Sequence, residues 1–233
     1  MVPHFDSSFK LFLLFLLGMG LPLTLQAQSD GKQSNDSNTL RISGGINRAF
    51  MSGDIHDNGG YYLLSTGISY TYMPKEPYGF SIGLFYESKG GKKVPGFWAI
   101  FPNPSLGATY FQQLNYITFP IHVVYQQEVN DNINIRYRSG LYYGYLLEWI
   151  EIVDYHREQY ATERIRKEIN HLKRSDYGIQ VGVEGYYSLN HNFSISLQLV
   201  HSAGIRNIED TEGYYSPLRT NATQLSLGLV YKL

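Results

Sequence analysis

From Leu40 onward the chain alternates apolar and polar residues with a period of two, segment after segment, a pattern that builds strands and not helices. Residues 133–149 show it most clearly. Ile133, Ile135, Tyr137, Ser139, Leu141, Tyr143, Tyr145, Leu147 and Trp149 share one face, and Asn134, Arg136, Arg138, Gly140, Tyr142, Gly144, Leu146 and Glu148 share the other. The same division recurs in 78–88, 177–189, 193–205 and 224–233, and more weakly in 40–48, 61–72 and 114–126. Counting these gives about eight strands. Their connections alternate as well: 73–77, 127–132 and 190–192 are short, whereas 51–60, 89–113, 151–176 and 207–223 are long. An even number of antiparallel strands with short turns on one rim and long loops on the other predicts a closed all-β transmembrane barrel. The short turns then face the periplasm and the long loops the cell exterior.

A soluble barrel would alternate too, so the question becomes which face is the inside. The polar face repeatedly places glycine in mid-strand (Gly79, Gly83, Gly140, Gly144, Gly178, Gly182, Gly228). Exposed to water, such glycines only weaken a sheet. Inside a narrow barrel they make room for large neighbours, Arg136 and Tyr142 among them. The apolar faces of the best segments carry no Asp, Glu, Lys or Arg, as a lipid-facing surface requires when a midplane charge costs roughly 2–4 kcal/mol. The lumen is therefore expected to hold Glu87, His122, Arg136, Arg138, Glu148, Glu184 and Lys232. Charges removed from water must be paired, and the heights of the strands predict that Glu184 meets Arg138, shared with Arg136.

Tyrosine is the compositional outlier, with 21 copies beside 12 Phe and 2 Trp. Such rings suit a boundary where one end of a side chain is apolar and the other wet. Tyr78 and Tyr86 are separated by about 26 Å along a strand, or roughly 20 Å of height at a tilt near 40°, comparable to the apolar band of a barrel. Tyr62, Tyr72, Tyr78, Tyr86, Tyr143, Trp149 and Tyr231 are expected at the two membrane interfaces. Pro120 cannot donate to a ladder without a free edge, so a bulge or a lost hydrogen bond is expected there.

Ahead of the barrel, a polar head ending in Lys10 is followed by the apolar run 11–17 and, after Gly18 and Gly20, by 21–25. A bilayer-spanning helix needs about 20 apolar residues; this shorter, glycine-broken run predicts a secretory signal peptide over 1–27, cleaved after Ala27. Residues 28–39 then form a polar spacer and 40–233 the barrel. No cysteine is present, which excludes disulfides, thiolate metal sites and a cysteine nucleophile. The near balance of 19 Lys+Arg against 20 Asp+Glu removes the field that a nucleic-acid binder uses to collect phosphates.

The run GLFYESKGGK from Gly83, the strand NYITFPIHVVY from Asn115, the stretch YGIQVGVEGYYSLNHNFSISLQLVHSAGIRNI from Tyr177 and the terminal QLSLGLVYKL from Gln224 together resemble the PorT-like outer-membrane β-barrel family of Bacteroidetes. The resemblance implies a bacterial outer-membrane location. The family's founding member is associated with protein secretion and gliding, but most relatives are barrels of unknown role, so that activity is not carried over.

No HExxH helix, GxSxG elbow, GxxxxGK[ST] loop or GxGxxG fingerprint occurs. His201 and Ser202 are strand neighbours on opposite faces and cannot act as base and nucleophile. His156 and His171 lie in the long charged loop, and His122 is expected as a satisfied lumen residue. No catalytic, cofactor-binding or metal-binding residue is assigned. The cluster Lys89-Gly-Gly-Lys-Lys93 reads as a basic loop start, with lipopolysaccharide phosphates as a candidate contact. The loop 151–176 reads as a solvated strand extension or short helix above the barrel. The expected role is that of a non-enzymatic envelope barrel embedded in outer-membrane lipid, engaging an envelope protein partner that the sequence does not name. A passive pore and a lipid-A-modifying barrel enzyme are the alternatives.

Overall fold

The computed structural model describes residues 38–52, 56–57, 60–75, 77–93, 108–155, 162–169, 172–209 and 217–233. The expected signal peptide over 1–27, spacer residues 28–37 and both loop histidines, His156 and His171, lie outside them. Among the described residues the strands are β1 (Thr39–Ser52), β2 (His56–Asp57), β3 (Tyr61–Lys75), β4 (Tyr78–Lys93), β5 (Ala108–Asn130), β6 (Ile133–Tyr155), β7 (Glu163–Lys167), β8 (Ser175–Ser188), β9 (Phe193–Gly204) and β10 (Arg219–Lys232).

Eight of these close a ring. β1 pairs with β3, β3 with β4, β4 with β5, β5 with β6, β6 with β8, β8 with β9, β9 with β10 and β10 with β1, every pair antiparallel. Closure satisfies the backbone of each strand on both sides, which is what a sheet needs in hydrocarbon. β1 and β10 end together at the short-turn rim, Thr39 opposite Lys232, so Thr39 belongs to the barrel and not to the spacer. β2 pairs with β4 and β7 with β6, extending the wall on the long-loop side. Residues 163–167 of the charged loop are thus strand and not helix.

Large apolar side chains cover the outside: Ile42, Leu64, Phe80, Leu141, Leu197 and Leu227 are all exposed. Polar and charged side chains fill the inside, where Arg41, Glu87, Lys89, Arg136, Arg138, Asp176 and Glu184 are buried. This inversion of a water-soluble protein is the arrangement of a barrel in lipid. Mid-strand glycines supply lumen space, but not for Arg136. A Cβ at Gly67 or Gly83 would strike the Phe85 ring, one at Gly178 the Tyr142 ring, and one at Gly228 the Arg41 guanidinium.

Two of the ladder irregularities lie along β5. The β4–β5 ladder lacks pairing between Ile82↔Ile121 and Phe85↔Thr118 yet keeps one register across the gap. Pro120 therefore costs ladder pairing and introduces no bulge. A true bulge sits in β6, where Tyr116 pairs with Leu146 but Asn115 pairs with Glu148, leaving Leu147 as the extra residue. Cross-strand partners share a face, so beyond Leu147 the alternation is inverted.

Candidate functional site

The chemistry-bearing side chains lie in the lumen, in layers that follow from strand register. At the short-turn mouth is an open cavity of about 510 Å3 whose lining includes Thr39, Gln126, Arg136, Tyr186, Asn190 and Lys232. Lys232 is on the lumen face as expected, but at the rim and exposed.

Above this vestibule is the first ionic layer. Arg138 Nη2 donates to Glu184 Oε2. Arg41 Nε stands 2.8 Å from Glu184 Oε1, although its N–H donates to Ser196 Oγ at 2.8 Å. That second contact is thus one of charge without a hydrogen bond. The remaining Arg41 donors reach Gln198 Oε1 at 2.9 Å and Ser226 Oγ at 3.0 Å, and Tyr186 Oη donates to Glu184 Oε2 at 2.6 Å. The expected Glu184–Arg138 pair forms. Arg136 is directly opposite Glu184 in the ladder but does not share it. It donates instead to Gln126 Oε1 at 2.6 Å, Thr39 Oγ1 at 2.9 Å and Tyr186 Oη at 2.7 Å. Arg41 takes its place. It was legible in the alternation of 40–48 as the inward neighbour of Leu40 and Ile42.

The middle of the lumen is a neutral layer. His122 Nε2 is 2.9 Å from Gln180 Oε1, and Gln180 Nε2 donates to Ser202 Oγ at 2.8 Å. The free space here is a cavity of about 10 Å3 lined by Phe85, Pro120, His122, Arg138 and their neighbours, about one water in size.

A second ionic layer follows. Lys89 is fully buried, with Nζ 3.1 Å from Asp176 Oδ2 and 3.9 Å from the Tyr142 ring centroid. Thr220 Oγ1 and Tyr142 Oη donate to the same Asp176 oxygen at 2.7 and 3.2 Å, and Thr118 Oγ1 donates to Glu87 Oε2 at 3.1 Å. Lys89 is therefore no loop residue facing lipopolysaccharide: β4 runs on to Lys93 and turns it inward. Asp176 was missed because it opens β8 directly after the charged loop. Above this layer Met51, Leu114, Tyr116, Leu146, Ile208 and Leu218 pack into an apolar cap.

The inverted alternation corrects two expected positions. Trp149 pairs with Leu114 of the cap and packs on it, so it faces inward and not the membrane interface. Glu148 pairs with Asn115 on the outer face, accepts from Asn115 Nδ2 at 2.9 Å and from Arg166 Nε at 2.5 Å, and is not a lumen residue. Arg166 holds its carboxyl below the ordinary carboxylate range.

The other interface aromatics face outward. Tyr72, Tyr78 and Tyr231 lie near the short-turn rim, where the tilted rings of Tyr78 and Tyr125 have centroids 5.5 Å apart and those of Phe193 and Tyr231 5.1 Å apart. Tyr62, Tyr86 and Tyr143 lie toward the long-loop rim. Tyr125, Tyr137, Tyr187 and Phe193 complete the lower girdle and were missed among the many aromatic residues. His201 is exposed, its Nδ1 2.9 Å from Thr223 Oγ1, while Ser202 is buried in the lumen.

A closed barrel with a lipid-compatible exterior and a polar lumen defines an integral outer-membrane β-barrel protein. The chain belongs to the family described as "Outer membrane protein beta-barrel domain", whose profile it matches over residues 26–210; its place is the bacterial outer membrane. Among solved structures it is similar to the Escherichia coli outer membrane protein W, at 10% identity and a TM-score of 0.50, covering 87% of this chain and 100% of that one. It is also similar to Neisserial surface protein A, at 12% identity and a TM-score of 0.46, covering 84% and 97%. A third is Ail, the attachment invasion locus protein of Yersinia pestis, at 12% identity and a TM-score of 0.40, covering 83% and 99%. No curated protein matches the sequence. The likeness to outer membrane protein W bears on the fold alone.

Proposed function

We propose that this protein is a non-enzymatic, non-conducting barrel that serves the envelope as a structural or interaction element, exported by a cleaved signal peptide and presenting its long loops to a protein partner. The observation that carries the reading is the filled lumen: two ionic layers, a neutral layer with room for about one water, and an apolar cap stand in series. Open channels come with 16 or more strands, whereas about eight leave an interior that side chains fill. Against an enzyme, neither His122 nor His201 has a triad's geometry. His122 is engaged by Gln180 and His201 by Thr223 on the outer surface. Purified protein in planar bilayers is expected to give no stable conductance step, and lipid A is expected to have the same mass spectrum with and without the gene. A porin-sized step or a gene-dependent mass change would overturn the respective half of the proposal. The PorT-like assignment belongs to this reading too, and identifying the proteins that co-purify with the barrel from native outer membranes tests the interaction role.

A further inference from the structure

The lower lumen does not balance its own charge. Arg41, Arg136 and Arg138 are all buried, and Glu184 is the carboxylate among them. Three cations against one anion leave an excess of two positive charges in a wall of low dielectric, where uncompensated charge is costly. Asp176 does not cancel it, because Lys89 engages it, and Glu87, although it lines the small central cavity with Arg138, accepts from Thr118 and forms no ion pair with an arginine among the described residues. Within the lower layer Arg138 and Arg41 both press on Glu184. Arg136 has no ion-pair partner among the described residues: its Nε donates to Gln126 and its Nη1 to Thr39 and Tyr186, which leaves Nη2 as the part of the guanidinium open to a ligand.

Arg136 is also the residue that meets the vestibule. Thr39, Gln126, Arg136 and Tyr186, all buried, form the floor of the 510 Å3 cavity. Its walls are polar: Asn132, Asn134, Ser188 and Asn190 offer amides and hydroxyls. The side-chain oxygen of Asn134 is buried without a partner. The two ends of an amide are assigned from their surroundings, so turned over the group offers a donor. Glu128 and Asp131 line the mouth together with Lys232 and His191. The rim is therefore mixed in sign and the positive excess lies at the bottom.

We infer that the periplasmic vestibule is an anion-binding site, in which a phosphate or carboxylate group seats on Arg136 and supplies the counter-charge that the lower lumen lacks. A planar guanidinium suits oxyanions of either kind, and a cavity of this size admits a small solute or the end of a periplasmic chain. The inference does not depend on whether the barrel conducts.

The test uses the full barrel in detergent micelles, with inorganic phosphate and succinate as probes and chloride at matched ionic strength as the reference. Binding is read by calorimetry and by the shift in unfolding temperature. Saturable binding of either probe, with a rise in unfolding temperature that chloride does not produce, is expected. Arg136→Gln is expected to weaken it by about tenfold or more. Because Arg136→Gln could impair folding, Ser194→Asp gives an independent arm. It leaves the arginine in place, sets a carboxylate on the vestibule wall, and is expected to raise the unfolding temperature while abolishing the response to both probes. Binding of phosphate but not succinate, or the reverse, assigns the source of the anion. No saturable binding of either probe, or binding unchanged in a folded Arg136→Gln barrel and in Ser194→Asp, would overturn the inference.

Discussion

At the scale of single residues, Glu184 is the most consequential side chain, because it is the carboxylate against which Arg41 and Arg138 are both held. Removing one partner of a buried ionic cluster leaves the others uncompensated, at a cost of about 3–5 kcal/mol. Glu184→Ala should therefore lower the unfolding temperature in detergent well below that of the parent. Glu148→Ala should lower it far less, since the Glu148–Arg166 pair sits at an exposed rim where such pairs contribute about 0–1 kcal/mol. Equal effects from the two substitutions would remove Glu184 from the centre of the network. The pairing of Glu184 with Arg138 was legible in the sequence because parity put both in the lumen and antiparallel strands fixed their heights. Lys89 was not: Gly90 and Gly91 follow it, and glycines after a strand read as the start of a loop. In the fold Gly90 stays in the strand with φ of +156°, packed against the backbone of Gln112, and the strand carries Lys89 inward.

At the scale of elements, the alternation places whole strands correctly and fails where one residue is inserted. Nothing in the run from Tyr145 to Trp149 distinguishes a regular strand from one bulged at Leu147, because Leu146 and Leu147 are equally apolar and either could face lipid. The bulge is visible only in the pairing with β5, and it exchanges the faces of Glu148 and Trp149. In a Trp98→Phe background, lipids brominated along their chains should leave Trp149 fluorescence unquenched. Deleting Leu147 should restore the regular alternation and make that fluorescence sensitive to them. Quenching in the undeleted protein would place Trp149 on the lipid face and remove the bulge. The same inversion sets Glu148 against Arg166 of β7, and Arg166 lowers the Glu148 carboxyl below its usual range. A carboxyl depressed on folding contributes fully above its unfolded pKa and loses that contribution as pH falls through the folded value. Acidification below the ordinary carboxylate range should thus loosen β7 from β6, seen as reduced protection of amides 163–167 against hydrogen exchange, corrected for the pH dependence of intrinsic exchange. Protection that does not change would show that backbone pairing alone holds β7.

At the scale of the whole molecule, ring closure decides the fold and the order of layers decides permeability. Closure was legible, because the even count of strands and the alternation of short and long links leave one simple arrangement, and β1 does meet β10. The series of plugs was not, because the residues of each layer come from strands distant in sequence. Arg41 and Glu184, for example, are brought together only through the β1–β10–β9–β8 path. Barriers in series have a testable consequence. Opening the lower layer alone, with Arg41→Ala and Glu184→Ala together, leaves the apolar cap of Met51, Leu114, Ile208 and Leu218 intact. Opening the cap alone, with Ile208→Ser and Leu218→Ser, leaves both ionic layers. Each double variant should stay silent in planar bilayers. Combining the four changes with Lys89→Ala, which empties the space beside Tyr142, should give resolvable current steps. Steps from the cap variant alone would mean that the ionic layers do not obstruct ions, and conduction in the unmodified barrel would mean that the layers open together on their own.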